Sequence, residues 1–156
     1  MLQISIPGRA DLRLEHLVMD YNGTLACDGL LLPGVRECME ALSDRVRIRV
    51  LTADTFGKAR AGLEGLSCEL SILPPENQDE GKLAYVKRLG AAGAVCVGNG
   101  RNDMLMLKAA ALGIAVVQEE GASVQTAMAA DVICPNISSA LQLLTNPLRL
   151  TATLRR

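Results

Sequence analysis

Four short polar segments in this 156-residue chain each sit just beyond an apolar run. Asp20-Tyr21-Asn22-Gly23-Thr24 follows the run at 17–19, and Thr52-Ala53-Asp54-Thr55 follows 46–51. Lys82 opens the helical stretch after 69–73, and Gly98-Asn99-Gly100-Arg101-Asn102-Asp103 follows 95–97. Together they offer two carboxylates, a hydroxyl and an ammonium beside glycine-containing turns. That set is chemically sufficient to hold a phosphate. Backbone N–H groups of a turn and of a helix start bind its oxygens, while Thr52 and Lys82 add donors. A divalent cation could bridge Asp20, Asp103 and the phosphate. Each piece alone has a plainer reading, as an Asx-turn, a helix cap, a solvated lysine or an ordinary Gly-Asn-Gly turn. Their common placement at strand ends is what makes them a set.

The elements that must position these groups read as strands alternating with helices. Strands are expected at 17–19, 46–51, 69–73, 95–97, 114–117 and 132–134. Helices are expected at 35–43, 55–63, 78–89, 103–112, 122–129 and 138–144. Strand–helix alternation with short connections predicts an α/β fold with a doubly wound parallel sheet, whose ligands bind beyond the carboxyl ends of the strands. Residues 1–14 alternate around Pro7-Gly8 and predict an N-terminal hairpin or a pair of edge strands. One domain is expected over 1–156, with the core at 15–145 and a tail at 146–156 that docks on the domain or on a neighbouring subunit.

Composition narrows the partners. Sixteen Lys and Arg against 17 Asp and Glu leave a formal charge of −1, and Tyr21, Phe56 and Tyr85 are the whole aromatic complement. Neither an electrostatic nor a stacking platform for nucleic acid is expected. The longest apolar stretch, residues 109–117, is far short of the ~20 residues a membrane span needs, and no signal-peptide pattern opens the chain. A cytoplasmic protein without membrane contact is expected. Five scattered cysteines and a single His16 form no zinc pattern and read as reduced thiols in apolar surroundings.

The order of these motifs resembles the haloacid dehalogenase (HAD) superfamily, and most closely the phosphorylation domain of P-type ATPases. The likeness covers about residues 15–145 and continues through Ala109-Ala110-Ala111-Leu112-Gly113-Ile114-Ala115-Val116 and Ala129-Ala130-Asp131-Val132-Ile133. It implies a Rossmann-like core in which Asp20 is the phosphoryl-accepting nucleophile. Thr52 resembles the family's phosphate-binding threonine and Lys82 its phosphate-stabilising lysine. Asn22, Gly23, Thr52, Ala53 and Lys82 would then bind phosphate, and Asp20, Asn22 (through its backbone carbonyl), Asn99 and Asp103 would hold Mg²⁺.

The departures from the family pattern are as informative. Only 27 residues separate Thr24 from Thr52, too few for the nucleotide-binding domain that the transport ATPases carry there, so transport is not expected. The core is capless or has only a small flap near 27–34. Asn22 stands where the phosphatases usually have an acidic residue that transfers a proton, a function worth ~10²–10⁴ in rate. Asn99 stands where an aspartate usually ligates magnesium and brings no charge. The resemblance therefore implies a slow Mg²⁺-dependent phosphohydrolase with a weakly bound cation, acting on a phosphorylated small molecule or a macromolecular phosphoester. The alternative is a phosphate-binding or regulatory protein that keeps the pocket without efficient turnover. Arg101 offers a guanidinium for a substrate anion or a solvated helix start, Asp28-Gly29 reads as a turn, and Glu119, Glu120 and Asp131 are rim carboxylates that could stand in for the missing acid without the sequence choosing among them. A homo-oligomer is compatible with the open site.

Overall fold

The structure is a computed structural model that describes residues 1–156. Its centre is a six-stranded, wholly parallel sheet. The strands are β3 (His16–Asp20), β6 (Arg47–Thr52), β7 (Cys68–Ile72), β8 (Ala94–Gly98), β9 (Leu112–Val116) and β10 (Val132–Cys134). They lie in the order β10-β9-β8-β3-β6-β7. All five residues of β3, β8 and β9 are buried, which is why these strands read as unbroken apolar runs rather than as alternation. The chain leaves β3 for β6 on one side and returns to β8 on the other, so the carboxyl end of β3 is the switch point where such sheets place ligands.

Side-chain size separates the faces of this sheet. Leu17, Met19, Ile48, Val50, Val95, Val97, Leu112, Ile114 and Val116 enter a cluster of 30 buried residues. Helices α1 (Val35–Ser43), α6 (Ile137–Thr145) and α7 (Pro147–Leu154) complete it, with the hairpin β1 (Leu2–Ile4) and β2 (Leu12–Leu14). The hairpin forms a separate two-stranded sheet and does not extend the large one. Val18, Leu51, Ala94, Cys96 and Ala115 enter a second cluster of only eight residues, with Val86 of α3 (Gln78–Leu89) and Met106 and Leu107 of α4 (Met104–Ala109). Two glycines keep this second face low. A Cβ on Gly113 would stand 2.5 Å from the Leu107 carbonyl oxygen, and one on Gly98 would stand 2.5 Å from the Asp103 carboxylate.

Several boundaries differ from the sequence reading. The helix expected over 55–63 is reduced to α2 (Ala59–Gly62), because Asp54 and Gly57 both take positive φ and keep Thr55 and Phe56 in a loop. The one expected over 103–112 starts as a 3₁₀ turn at Arg101–Asp103 and ends at Ala109, since Leu112 already belongs to β9. The tail is the helix α7; it buries Leu150 and its Thr151 hydroxyl donates to the Ser5 carbonyl. Cys27-Asp28-Gly29-Leu30 is a tight hairpin joining β4 (Ala26–Cys27) and β5 (Leu30–Leu31), with positive φ at Asp28 and Gly29. All five cysteines are unpaired; Cys96 and Cys134 are buried and the other three are half-buried. No helix is long and apolar enough to cross a membrane.

Candidate active site

Residue 20 falls on the face of β3 shared with Val18, so the strand's alternation directs its side chain toward α3 and α4. Lys82 and Val86 are the residues of α3 buried against that face, one turn apart. The Lys82 ammonium is wholly enclosed and donates to Asp20 Oδ1 at 2.8 Å and to Asp103 Oδ1 at 2.6 Å. Asp103 Oδ2 accepts from the backbone N–H groups of Asn99 and Gly100 at 3.0 and 2.9 Å. The missing Cβ of Gly98 is the space into which that carboxylate fits. Both oxygens of Asp103 are therefore engaged away from solvent. Its expected place among the metal ligands does not suit this geometry; it holds Lys82 and the Asn99 turn instead.

The nucleophile candidate keeps one oxygen nearly free. Asp20 Oδ2 has only the Thr24 hydroxyl nearby, at 3.5 Å, and that hydroxyl also donates to Asn99 Oδ1 at 3.3 Å. Thr24, in turn, is held by a turn in which the N–H groups of Thr24, Leu25 and Ala26 all donate to the Tyr21 carbonyl. Buried Tyr21 donates its hydroxyl to the Gly29 carbonyl and so secures the β4–β5 flap beside the turn. Burial and the charge of Asp103 push the Asp20 carboxyl up to about 7, against the opposing pull of Lys82. Burial alone would lower the pKa of Lys82; the adjacent Asp103 and Asp20 charges reverse that and raise it, so the ammonium stays charged.

Asp20, Asn22, Thr52, Ala53, Asn99 and Gly100 line one pocket of about 200 Å³, joined by Thr55, Gln78, Asn102 and Glu120. The Thr52 hydroxyl accepts from the Asp54 N–H at 2.9 Å, leaving its own hydrogen for a ligand, and Asp54 Oδ1 accepts from Ala59 N–H at the start of α2. Asn22 Oδ1 is buried without a donor. Asn99 turns its amide nitrogen to the Gly121 carbonyl at 2.9 Å. The donors around Asp20 Oδ2 that could hold a cation are thus all oxygens, suited to a hard divalent ion. They fit it in kind, with Asp20 as the carboxylate and Asn22 and Asn99 as neutral donors. Arg101 is exposed and lines a different cavity, with Met104, Leu105 and Met128, so it stands apart from this pocket.

Sequence reasoning passed over Gln118 and Thr126, which build the site, and of the three rim carboxylates it offered, Glu119, Glu120 and Asp131, only Glu120 lines the pocket. Gln118 donates to the carbonyls of Gly23 and Thr24, tying the loop after β9 to the turn after β3. Buried Thr126 donates to the Gly100 carbonyl at 2.7 Å and fixes the turn after β8. The run Gln118-Glu119-Glu120-Gly121 directly after an apolar strand was the signal available for Gln118.

This architecture has relatives. A solved 3-deoxy-D-manno-octulosonate 8-phosphate phosphatase from Moraxella catarrhalis, in complex with magnesium, phosphate and 3-deoxy-D-manno-octulosonate, superposes with a TM-score of 0.72. It is 16% identical, with 92% of this chain and 95% of that one covered. A haloacid dehalogenase (HAD) family hydrolase from Streptomyces avermitilis shares the fold too, at 17% identity and a TM-score of 0.67, over 85% of this chain and 83% of that one. A zinc-transporting PIB-type ATPase is also similar, at 26% identity and a TM-score of 0.59, over 78% of this chain and 20% of that one. No family model matches the chain. Two uncharacterised proteins of Methanocaldococcus jannaschii match in sequence. One is 48% identical over 61 residues, which span 39% of this chain and 66% of that protein. The other is 44% identical over 39 residues, 25% of this chain and 89% of that protein, and the chain belongs to its family.

Proposed function

We propose that the chain is a Mg²⁺-dependent phosphohydrolase of HAD type that works through an aspartyl-phosphate on Asp20. The observation that carries this reading is the enclosed Asp20–Lys82–Asp103 network opening, through Asp20 Oδ2, into a pocket lined by Thr52, Ala53 and Asn22. In the first half-reaction the Asp20 carboxylate attacks phosphorus in line while the bond to the leaving oxygen breaks. The Thr52 hydroxyl and the Ala53 N–H receive the charge on the non-bridging oxygens, and the Lys82 ammonium, enclosed behind Asp20, adds its positive charge at close range, while the Gly23 N–H is held by the Ala26 carbonyl. In the second, water displaces the phosphoryl group from Asp20.

A divalent cation at Asp20, Asn22 and Asn99 would neutralise phosphate charge and favour the ionised nucleophile, whose carboxyl otherwise sits near 7. With one carboxylate among those donors, the ion binds weakly until phosphate adds its own charge. The pocket is small and the β4–β5 flap short, so a phosphorylated small molecule, or the phosphoester end of something larger, fits the mouth. Asn22 has no proton to exchange, and turnover is accordingly slow. That substitution favours a second reading, a phosphate-binding or regulatory protein with a long-lived phosphoaspartate.

Phosphate release from a panel of phosphomonoesters, with and without Mg²⁺, decides between them. Turnover that requires Mg²⁺ and vanishes in Asp20→Asn is the expected result, and Asn22→Asp is expected to raise it by ~10-fold or more. No release from the native chain, combined with phosphate binding, would replace the first reading by the second.

A further inference from the structure

The loop between β9 and α5 (Val124–Ala129) carries two consecutive glutamates, and its anchors direct one of them at the pocket. At its start, Gln118 donates to the Gly23 and Thr24 carbonyls at 3.1 and 2.8 Å and accepts from the Ile137 N–H at 2.9 Å. Further along, the Gly121 carbonyl accepts from the Asn99 side chain, and the Ser123 N–H donates to the Asn99 carbonyl at 2.8 Å. Pinned from both sides, Glu120 lines the pocket together with Asp20, Asn22 and Thr52, whereas Glu119 does not. Its Oε2 stands 2.6 Å from where a Cβ of residue 23 would lie, a position that Asn99 Oδ1 also approaches, at 2.7 Å. Only glycine at 23 admits the two groups together.

We propose that Glu120 is the general base of the second half-reaction, taking the proton from the water that hydrolyses the aspartyl-phosphate. The inference rests on the phosphohydrolase reading above and supplies the group that Asn22 cannot be. As the water oxygen bonds to phosphorus, its proton passes to the Glu120 carboxylate. The phosphorus bond to the Asp20 oxygen breaks with its electron pair returning to Asp20, and inorganic phosphate leaves. A carboxylate at the mouth of the pocket offers the phosphoryl oxygens no hydrogen-bond donor and can accept a proton from water, which suits a base. Lys82 cannot serve, being enclosed and charged.

The test separates the two half-reactions with p-nitrophenyl phosphate and Mg²⁺. Nitrophenol release in a rapid-mixing experiment reports phosphorylation of Asp20, and inorganic phosphate reports its hydrolysis. In Glu120→Gln the nitrophenol burst is expected to persist while phosphate release slows about 10²-fold or more, with phosphoprotein accumulating on Asp20. Glu119→Gln is expected to match the native chain in both steps. Equal slowing of both steps, recovery of Glu120→Gln at high Mg²⁺, or unchanged phosphate release would each overturn the base assignment. A native chain that shows neither burst nor turnover would overturn the phosphohydrolase reading and the inference with it.

Discussion

On one face of the sheet the inward side chains of β8 and β9 are Val95, Val97, Leu112, Ile114 and Val116; on the other they are Ala94, Cys96, Gly98, Gly113 and Ala115. The same two strands supply both sets, alternating residue by residue. The large set meets α1, α6 and the N-terminal hairpin in the 30-residue cluster and provides most of the apolar burial. The small set lets the backbone of α4 and the carboxylate of Asp103 come against the strands, where they meet the bonds of Lys82. Stability from area and precision from close approach are thus assigned to opposite faces. The charged network is tolerable in the thin layer because its members are paired and hydrogen-bonded there.

The sharpest way to break this division is to remove the central cation. Lys82→Met leaves Asp20 and Asp103 buried together without a counter-charge, and denaturant unfolding is expected to show a loss of about 3–5 kcal/mol. A smaller break comes from adding volume to the thin face. Gly113→Ala places a methyl group against the Leu107 carbonyl, and the expected loss in the same measurement is about 1–3 kcal/mol. No loss would mean that α4 can move away from the sheet.

The smallest effect has the opposite sign. Asp20 has a folded-state value of about 7 against an ordinary 3.8. Below the lower value the carboxyl is neutral in both states and imposes no cost. Between the two values the unfolded chain ionises first, so stability falls as pH rises, and above 7 the full cost remains. Asp20→Asn removes that cost. The metal-free variant is expected to be about 1–2 kcal/mol more stable than the native chain at pH 8, with the difference closing by about pH 4. A constant difference across pH would place the ionisation elsewhere.

Much of this was legible in the residues. The central strands β3, β8 and β9 read as apolar runs because both faces are covered, and the polar groups at the strand ends had to converge once the sheet was parallel. Asp20, Thr52 and Asn99 meet in one pocket for that reason. What stayed hidden depended on contacts distant in sequence. The oxygens of Asp103 could be assigned to Lys82 and two backbone N–H groups only after the turn at Asn99 was closed. Glu120 gained a place because Gln118 bonds carbonyls more than ninety positions earlier in the chain, which no local pattern encodes. The shortened α2 turned on positive φ at Asp54, a conformation that composition alone does not announce at a non-glycine residue.

Complete enclosure of the Lys82 amine also makes it a chemical timer. Amine-directed acylating reagents find Lys58, Lys87 and Lys108 exposed on the folded protein. They can reach Lys82 only when α3 lifts from the sheet, and they modify an amine only after it sheds a proton that two carboxylates help retain. The lag between labelling of the other lysines and labelling of this one is a direct reading of how often the interior opens.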